Sequence, residues 1–168
     1  MKSLHLSKKT QRASRRRCAA GGMLDYNFLK ERGMHIDGGC HCGFIRYEAE
    51  VDADNVGICH CTDCQTLTGT AYRTTVQSLK GGFRLLAGKP KIYVKTAESG
   101  NQRAHGFCPE CGTPIYSTTV GTPEVYGIRV GTARQRRELR PTRQGWCRSA
   151  LDWSRNIDAL PKSPRQRT

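Results

Sequence analysis

Seven of the nine cysteines fall in three tight clusters: Cys40-His41-Cys42, Cys59-His60-Cys61-Thr62-Asp63-Cys64 and Cys108-Pro109-Glu110-Cys111-Gly112. Thiolates at such spacings are ligands for a metal such as zinc. The third cluster is the most specific taken alone. A C-x-x-C followed by glycine is the turn of a zinc knuckle. Backbone amides in that turn can point at the sulfurs, and Gly112 permits the positive φ that closes it. The same spacing also serves redox pairs, but those open a helix in a βαβ context, and strand patterns flank this one. We read it as a metal knuckle.

A knuckle supplies two ligands, so a tetrahedral site needs two more. Cys40 and Cys42 fit, because residues i and i+2 of an extended chain point the same way. Gly38-Gly39 and Gly43 let the backbone bend close to an ion. The competing reading makes this pair ordinary small buried hydrophobes, which the flanking glycines and polar surroundings disfavour. Cys40, Cys42, Cys108 and Cys111 are therefore expected to form a closed, structural site.

The middle cluster is different. Three thiols within six residues, Cys59, Cys61 and Cys64, offer three ligands from one loop and leave a fourth position open. Closed zinc sites are structural, and sites with three protein ligands are where zinc does chemistry. The alternative is closure by His60 or His41. His60 lies between two ligands, so its side chain is expected to point away from their shared face. Three thiolates on a divalent ion leave a net charge of −1. Such a centre is poor at making hydroxide, and its natural fourth ligand is another thiol, bound as thiolate. The charge count points to a thiol substrate.

The elements that must position these cysteines are mostly strands. Phe44–Ala49, Ala71–Val76, Phe83–Leu86, Lys91–Lys95, Arg103–Phe107, Pro114–Thr118 and Val125–Val130 read as short strands. Gly81-Gly82, Gly88-Lys89-Pro90, Gly100-Asn101 and Gly121-Thr122-Pro123 punctuate them. This predicts a sheet-based domain rather than βαβ units. One short helix is predicted at Asp63–Leu67, with Thr62 as its N-cap.

The chain has 168 residues, 36% of them apolar and 7% aromatic, a lean core for which bound metal is a plausible staple. No stretch approaches the ~20 apolar residues of a membrane span. Clustered cysteines and the lack of a recognisable export signal lead us to expect a cytoplasmic protein. The net charge is +14, and half of it sits in residues 1–33, which hold nine basic and two acidic residues. This segment is expected to be a disordered basic extension, with Met34 an alternative start. The zinc-binding domain is expected over residues 34–155, followed by a polar tail over 156–168. Cys18 and Cys147 are left over. Cys18 is read as an irrelevant free thiol and Cys147 as a buried small residue.

Taken together, Gly38-Gly39-Cys40-x-Cys42-Gly43, Cys59-His60-Cys61-x-x-Cys64 and Phe107-Cys108-x-x-Cys111-Gly112 resemble the glutathione-dependent formaldehyde-activating enzyme family. Centromere protein V belongs to the same family, and the resemblance runs from about Ile36 to Trp153. It implies a mainly β fold of the complex β-tent type with one or two short helices. It implies two zinc ions per chain, a structural one on Cys40, Cys42, Cys108 and Cys111 and a catalytic one on Cys59, Cys61 and Cys64. The implied activity is that of a carbon–sulfur lyase acting on a thiol–aldehyde adduct such as S-hydroxymethylglutathione, with glutathione and an aldehyde as partners. Arg73 and Thr74 are candidates for binding an anionic substrate group, against the plainer reading of Arg73 as a surface arginine. His60 is a candidate proton shuttle near neutral pH, or simply packs. The alternative function is a zinc-stabilised nucleic-acid or chromatin module, with the contact made through the basic N-terminal extension.

Overall fold

A computed structural model describes residues 33–165. The expected extension, apart from Gly33, and Cys18 within it lie outside the described residues. Eight strands form one sheet: β1 (Gly33–Gly39), β2 (Arg46–Cys59), β3 (Arg73–Ala87), β4 (Lys91–Thr96), β5 (Gln102–Phe107), β6 (Pro114–Thr119), β7 (Gly127–Arg129) and β8 (Arg143–Gly145). The order is β1-β2-β3-β7-β6-β5-β4, antiparallel throughout, with β8 added in parallel beside the end of β2. One α-helix, α1 (Thr62–Thr68), and four short 3-10 turns complete the described chain. The protein is mainly β, as the punctuated short strands predict. Among the described residues no helix is long and apolar enough to cross a membrane.

Strand alternation divides the sheet into two faces of opposite chemistry. The paired residues Val56, Val76, Ile128 and Tyr116 run across β2, β3, β7 and β6 on the core face. Val56, Val76 and Ile128 are fully buried. An aromatic group is packed into the same core: Phe83 stacks on Tyr126 with ring centroids 4.5 Å apart and meets Tyr116 edge-on at 5.3 Å. Each such pair adds about 1 kcal/mol to the area it buries. One residue along, the other face carries Cys59, opposite Arg73, and Thr75, opposite Arg129. It continues through Ser117, His105 and Tyr93 on β6, β5 and β4. The helix α1 is tied to this polar face by an ion pair between Asp63 and Lys95 of β4.

The structure departs from the sequence expectations where tertiary pairing overrides local signals. Ala71–Val76 and Phe83–Leu86 are not two strands around a glycine turn. From Arg73 onward they belong to one 15-residue strand, β3, and Gly81, at φ +68°, lies inside it. The pairing with β2 shifts register on either side of Val51, so the glycines serve an irregularity rather than a reversal. β2 is likewise longer than Phe44–Ala49, and β1 and β8 were not marked by alternation at all. The helix begins one residue earlier than expected. Its N-cap is Cys61, not Thr62, and the cap group is the sulfur, which accepts from the Cys64 N–H.

Candidate metal centre and adjoining cleft

The loop between β1 and β2 carries Cys40 and Cys42, and the turn between β5 and β6 carries Cys108 and Cys111. The four sulfurs all lie within 4.8 Å of one another. Cys42 Sγ is 3.5 Å from Cys40 Sγ and 3.7 Å from Cys108 Sγ. With Zn–S bonds of about 2.3 Å a tetrahedron has edges of ~3.8 Å, so the cluster already has the dimensions of a tetrathiolate site. Backbone geometry supports it. The Ile45 N–H donates to Cys40 Sγ at 3.1 Å. The knuckle closes through Gly112 N–H to Cys108 O at 3.0 Å, with Gly112 at φ +72°, where any other residue would be strained. The Thr113 hydroxyl lies 3.1 Å from Cys111 Sγ and accepts from the His41 N–H at 3.2 Å, joining the two loops. The hydroxyl and backbone N–H of Thr113 hold the Cys111 thiol down to about 5.

Cys59, at the end of β2, and Cys61 and Cys64, at the start of α1, form the second cluster, again with all sulfurs within 4.8 Å of one another. The Cys64 thiol hydrogen-bonds to Cys59 and, with help from the Cys61 N–H and the charge of Arg73, holds the Cys59 thiol down to about 5. The same bond pushes Cys64 up. One thiolate stabilised by its neighbours is a donor set ready to exchange protons for a cation. Among the described residues no histidine or carboxylate joins the three sulfurs. His41 is exposed beside the other cluster. His60 is buried and turned away, as its position between two ligands predicts: its Nε2 lies 2.9 Å from Gln144 Oε1 and its ring meets Tyr72 edge-on. The loop is braced from beneath, since Gln65 Nε2 donates to His60 O and to Ser149 O, each at 2.8 Å.

Two arginines adjoin this cluster. Arg73 is only 5% exposed, so it is not a surface arginine. Its strand register sets it directly opposite Cys59. Arg129, also 5% exposed, stands diagonally across from it on β7. Burial and the nearby Arg73 charge bring Arg129 down to about 9, with Cys64 and Cys59 opposing the fall. Its Nη2 donates to His105 Nδ1 at 3.2 Å. Burial together with the charges of Arg129, Arg73, Lys95 and Arg103 pulls His105 down to about 4. His105 is therefore neutral at pH 7, and because a guanidinium only donates, its ring proton sits on Nε2. Both arginines line a cleft of about 580 Å³, whose wall also includes Thr70, Thr113, Thr132 and Trp153.

Sequence reasoning did not single out Arg129, His105 or Gln144. Alternation within Val125–Val130 was the available signal for Arg129, since it places that residue on the face opposite Ile128. The expectation for Cys147 is corrected: it is exposed, at the start of a 3-10 turn, and belongs to neither cluster.

Residues 35–149 match the sequence model of the glutathione-dependent formaldehyde-activating enzyme family. The match spans well over half of the chain and all three cysteine clusters. The chain belongs to this family. A crystal structure of a Rhodobacter sphaeroides protein is similar to it, with a TM-score of 0.51 and 21% sequence identity. That similarity covers 65% of this chain and 99% of the other, and it speaks to the fold alone. Family membership accounts for the association of a β sheet with two thiol clusters. Nothing among the described residues favours the nucleic-acid reading, and nearly all of the basic segment it relies on lies outside them.

Proposed function

We propose that the protein is a zinc-dependent carbon–sulfur lyase, acting on a thiol–aldehyde adduct such as S-hydroxymethylglutathione. Family membership and the donor sets support two zinc ions per chain. Cys40, Cys42, Cys108 and Cys111 would hold a structural ion, and Cys59, Cys61 and Cys64 a catalytic one. The observation that carries the reading is the three-sulfur cluster, which has no fourth protein ligand among the described residues and stands beside two buried cations. When bound there, zinc supplies an open Lewis-acidic position that favours the thiolate form of a substrate thiol.

The protein's own residues do the rest. Arg73 and Arg129 offset the negative charge of the cysteine sulfurs and of the incoming sulfur, a fixed electrostatic arrangement that needs no reorganisation during reaction. Gln144 and Gln65 fix the loop through His60, so the spacing of Cys59, Cys61 and Cys64 is set before substrate arrives. His60, held by Gln144, is a positioning residue here rather than a proton shuttle. In the forward direction the substrate S–H adds across the C=O bond of the aldehyde. A carbon–sulfur bond forms, the oxygen gains a proton, and the product is a hydroxymethyl thioether. The reverse reaction returns thiol and aldehyde.

The test is Cys64→Ser. The variant is expected to keep its fold, to bind one zinc ion fewer per chain, and to lose at least ~100-fold in the rate of adduct formation, because it removes a ligand on which the transition state depends. A folded variant that has lost one zinc ion and keeps full activity on thiol–aldehyde pairs overturns the proposal.

A further inference from the structure

The geometry points to Trp146 as a specificity-determining residue for the reaction proposed above: its indole packs against an apolar group carried on the carbon bonded to the substrate sulfur. The inference rests on the thiol reading and specifies its substrate class.

The first observation is a cavity. Cys61 lines a space of about 310 Å³ whose wall also includes Trp146 and Arg148, whereas none of the three clustered cysteines lines the larger cleft. Ligand cavities start at about 300 Å³. Formaldehyde is scarcely larger than a water molecule, whose share of the liquid is about 30 Å³. The space beside Cys61 therefore has room for a larger group attached near the substrate sulfur.

The second observation is the backbone. Trp146 stands at φ +58°, and among the described residues it is the sole residue other than glycine with a positive φ. A bulky side chain is strained there. The turn is held at both ends to the loop that carries the cysteines: Gly145 O accepts from the His60 N–H at 3.1 Å, and Ser149 O accepts from Gln65 Nε2 at 2.8 Å. Glycine would close this turn without strain, so the turn itself does not call for an indole. Nor does the core, since Trp146 is 42% exposed.

The third observation is the charge around the cavity. The four charged side chains on its wall are paired two and two, Asp63 with Lys95 and Glu98 with Arg148. Arg148 also stacks on the indole, with its guanidinium carbon 4.7 Å from the ring centroid, a cation–π contact that fixes the ring's orientation. The wall thus offers no unpaired charge to a ligand, and the indole is its one aromatic surface. Such a surface selects an uncharged, apolar group, best an aromatic one.

The experiment uses the full chain with cobalt(II) in place of zinc, titrated at pH 7 with phenylmethanethiol and, separately, with mercaptoethanol, two uncharged thiols. The readout is the cobalt–thiolate absorption, which needs no turnover. Phenylmethanethiol is expected to reach half-saturation at a concentration lower by about tenfold, the worth of an aromatic pair. In Trp146→Gly, whose backbone suits the turn, the ratio between the two thiols should fall toward one. In Trp146→Phe, the variant to use if the glycine form does not fold, it should fall only in part. A purely structural role for Trp146 would weaken both thiols alike, and a ratio that stays at its native value in the variants overturns the proposal. Equal midpoints in the unmodified protein also overturn it, while leaving the thiol reading intact. If neither thiol changes the spectrum, the thiol reading fails and the proposal fails with it. Turnover of benzaldehyde and formaldehyde with mercaptoethanol then sorts the source of the apolar group. A kcat/KM that Trp146→Gly lowers more for benzaldehyde than for formaldehyde assigns the group to the aldehyde, and equal lowering assigns it to the thiol.

Discussion

Single residues in this protein have chemistry set by what faces them across the sheet. His105 is the clearest case. It faces Arg129 from β7, Arg73 from β3, Lys95 and the Tyr93 ring from β4, and it shares β5 with Arg103. These cations, together with burial, lower its folded-state pKa to about 4 from the ordinary 6.5. The unfolded chain therefore takes up a proton below about pH 6.5 that the native state refuses until about pH 4. Stability associated with neutral His105 is complete above pH 6.5 and drains away as pH falls through that window. We expect urea denaturation at pH 7 and pH 4.5 to show a larger loss for the unmodified protein than for His105→Gln, by about 2 kcal/mol. Metal loss in acid affects both proteins and cancels in the comparison. An equal loss in the two would show that His105 titrates normally. Arg73 teaches the same lesson from the opposite side. Its type and its nearness to the cysteines were readable in the sequence. Its burial was not, because that depends on which strand lies opposite Cys59.

At the scale of elements, α1 and its loop join two functions in one side chain. Cys61 caps the helix through its sulfur and is also one of the three clustered thiols. Serine is a good N-cap and a poor metal ligand, whereas alanine is neither. Cys61→Ser and Cys61→Ala should lose metal equally at this cluster. The alanine variant should in addition be about 1 kcal/mol less stable, a difference measurable by denaturant unfolding of the two variants after chelation. Equal stabilities would mean that the sulfur does not act as a cap. The sequence showed this helix to within a residue because its signals are local. It showed β4, β5 and β6 almost to the residue for the same reason: each is a run of alternating residues bounded by turn formers. It failed where pairing decides. β1 is a glycine-rich segment made a strand by β2, β8 is three residues laid along the end of β2, and Gly81-Gly82 is an irregularity between two stretches of β3 that both pair with β2. The cysteine clusters were legible because ligand spacing is written in sequence. The arginine pair was half legible, because only alternation marks Arg129 and nothing local marks it as buried.

For the whole molecule, the four-thiol cluster matters most. Its two loops leave strands at opposite ends of the sheet order, β1 and β2 on one side and β5 and β6 on the other. An ion held there would bridge residues about seventy positions apart in the chain, so it would limit the unfolded ensemble much as a cross-link does. The Cys59–Cys64 cluster closes a loop of only a few residues and would limit it little. Stripping metal completely should therefore lower the midpoint of thermal unfolding by more than 10 °C, while Cys64→Ser, which empties only the local cluster, should lower it by a few degrees. Calorimetry of both, each with its metal content measured, checks this, and equal shifts would refute the bridging role. The same separation fixes an order of events during synthesis. Cys59, Cys61 and Cys64 leave the ribosome together, whereas Cys40 and Cys42 must wait for Cys108 and Cys111, about seventy residues later. The local three-thiol cluster is thus able to take up metal first, on a chain whose four-thiol cluster is not yet complete.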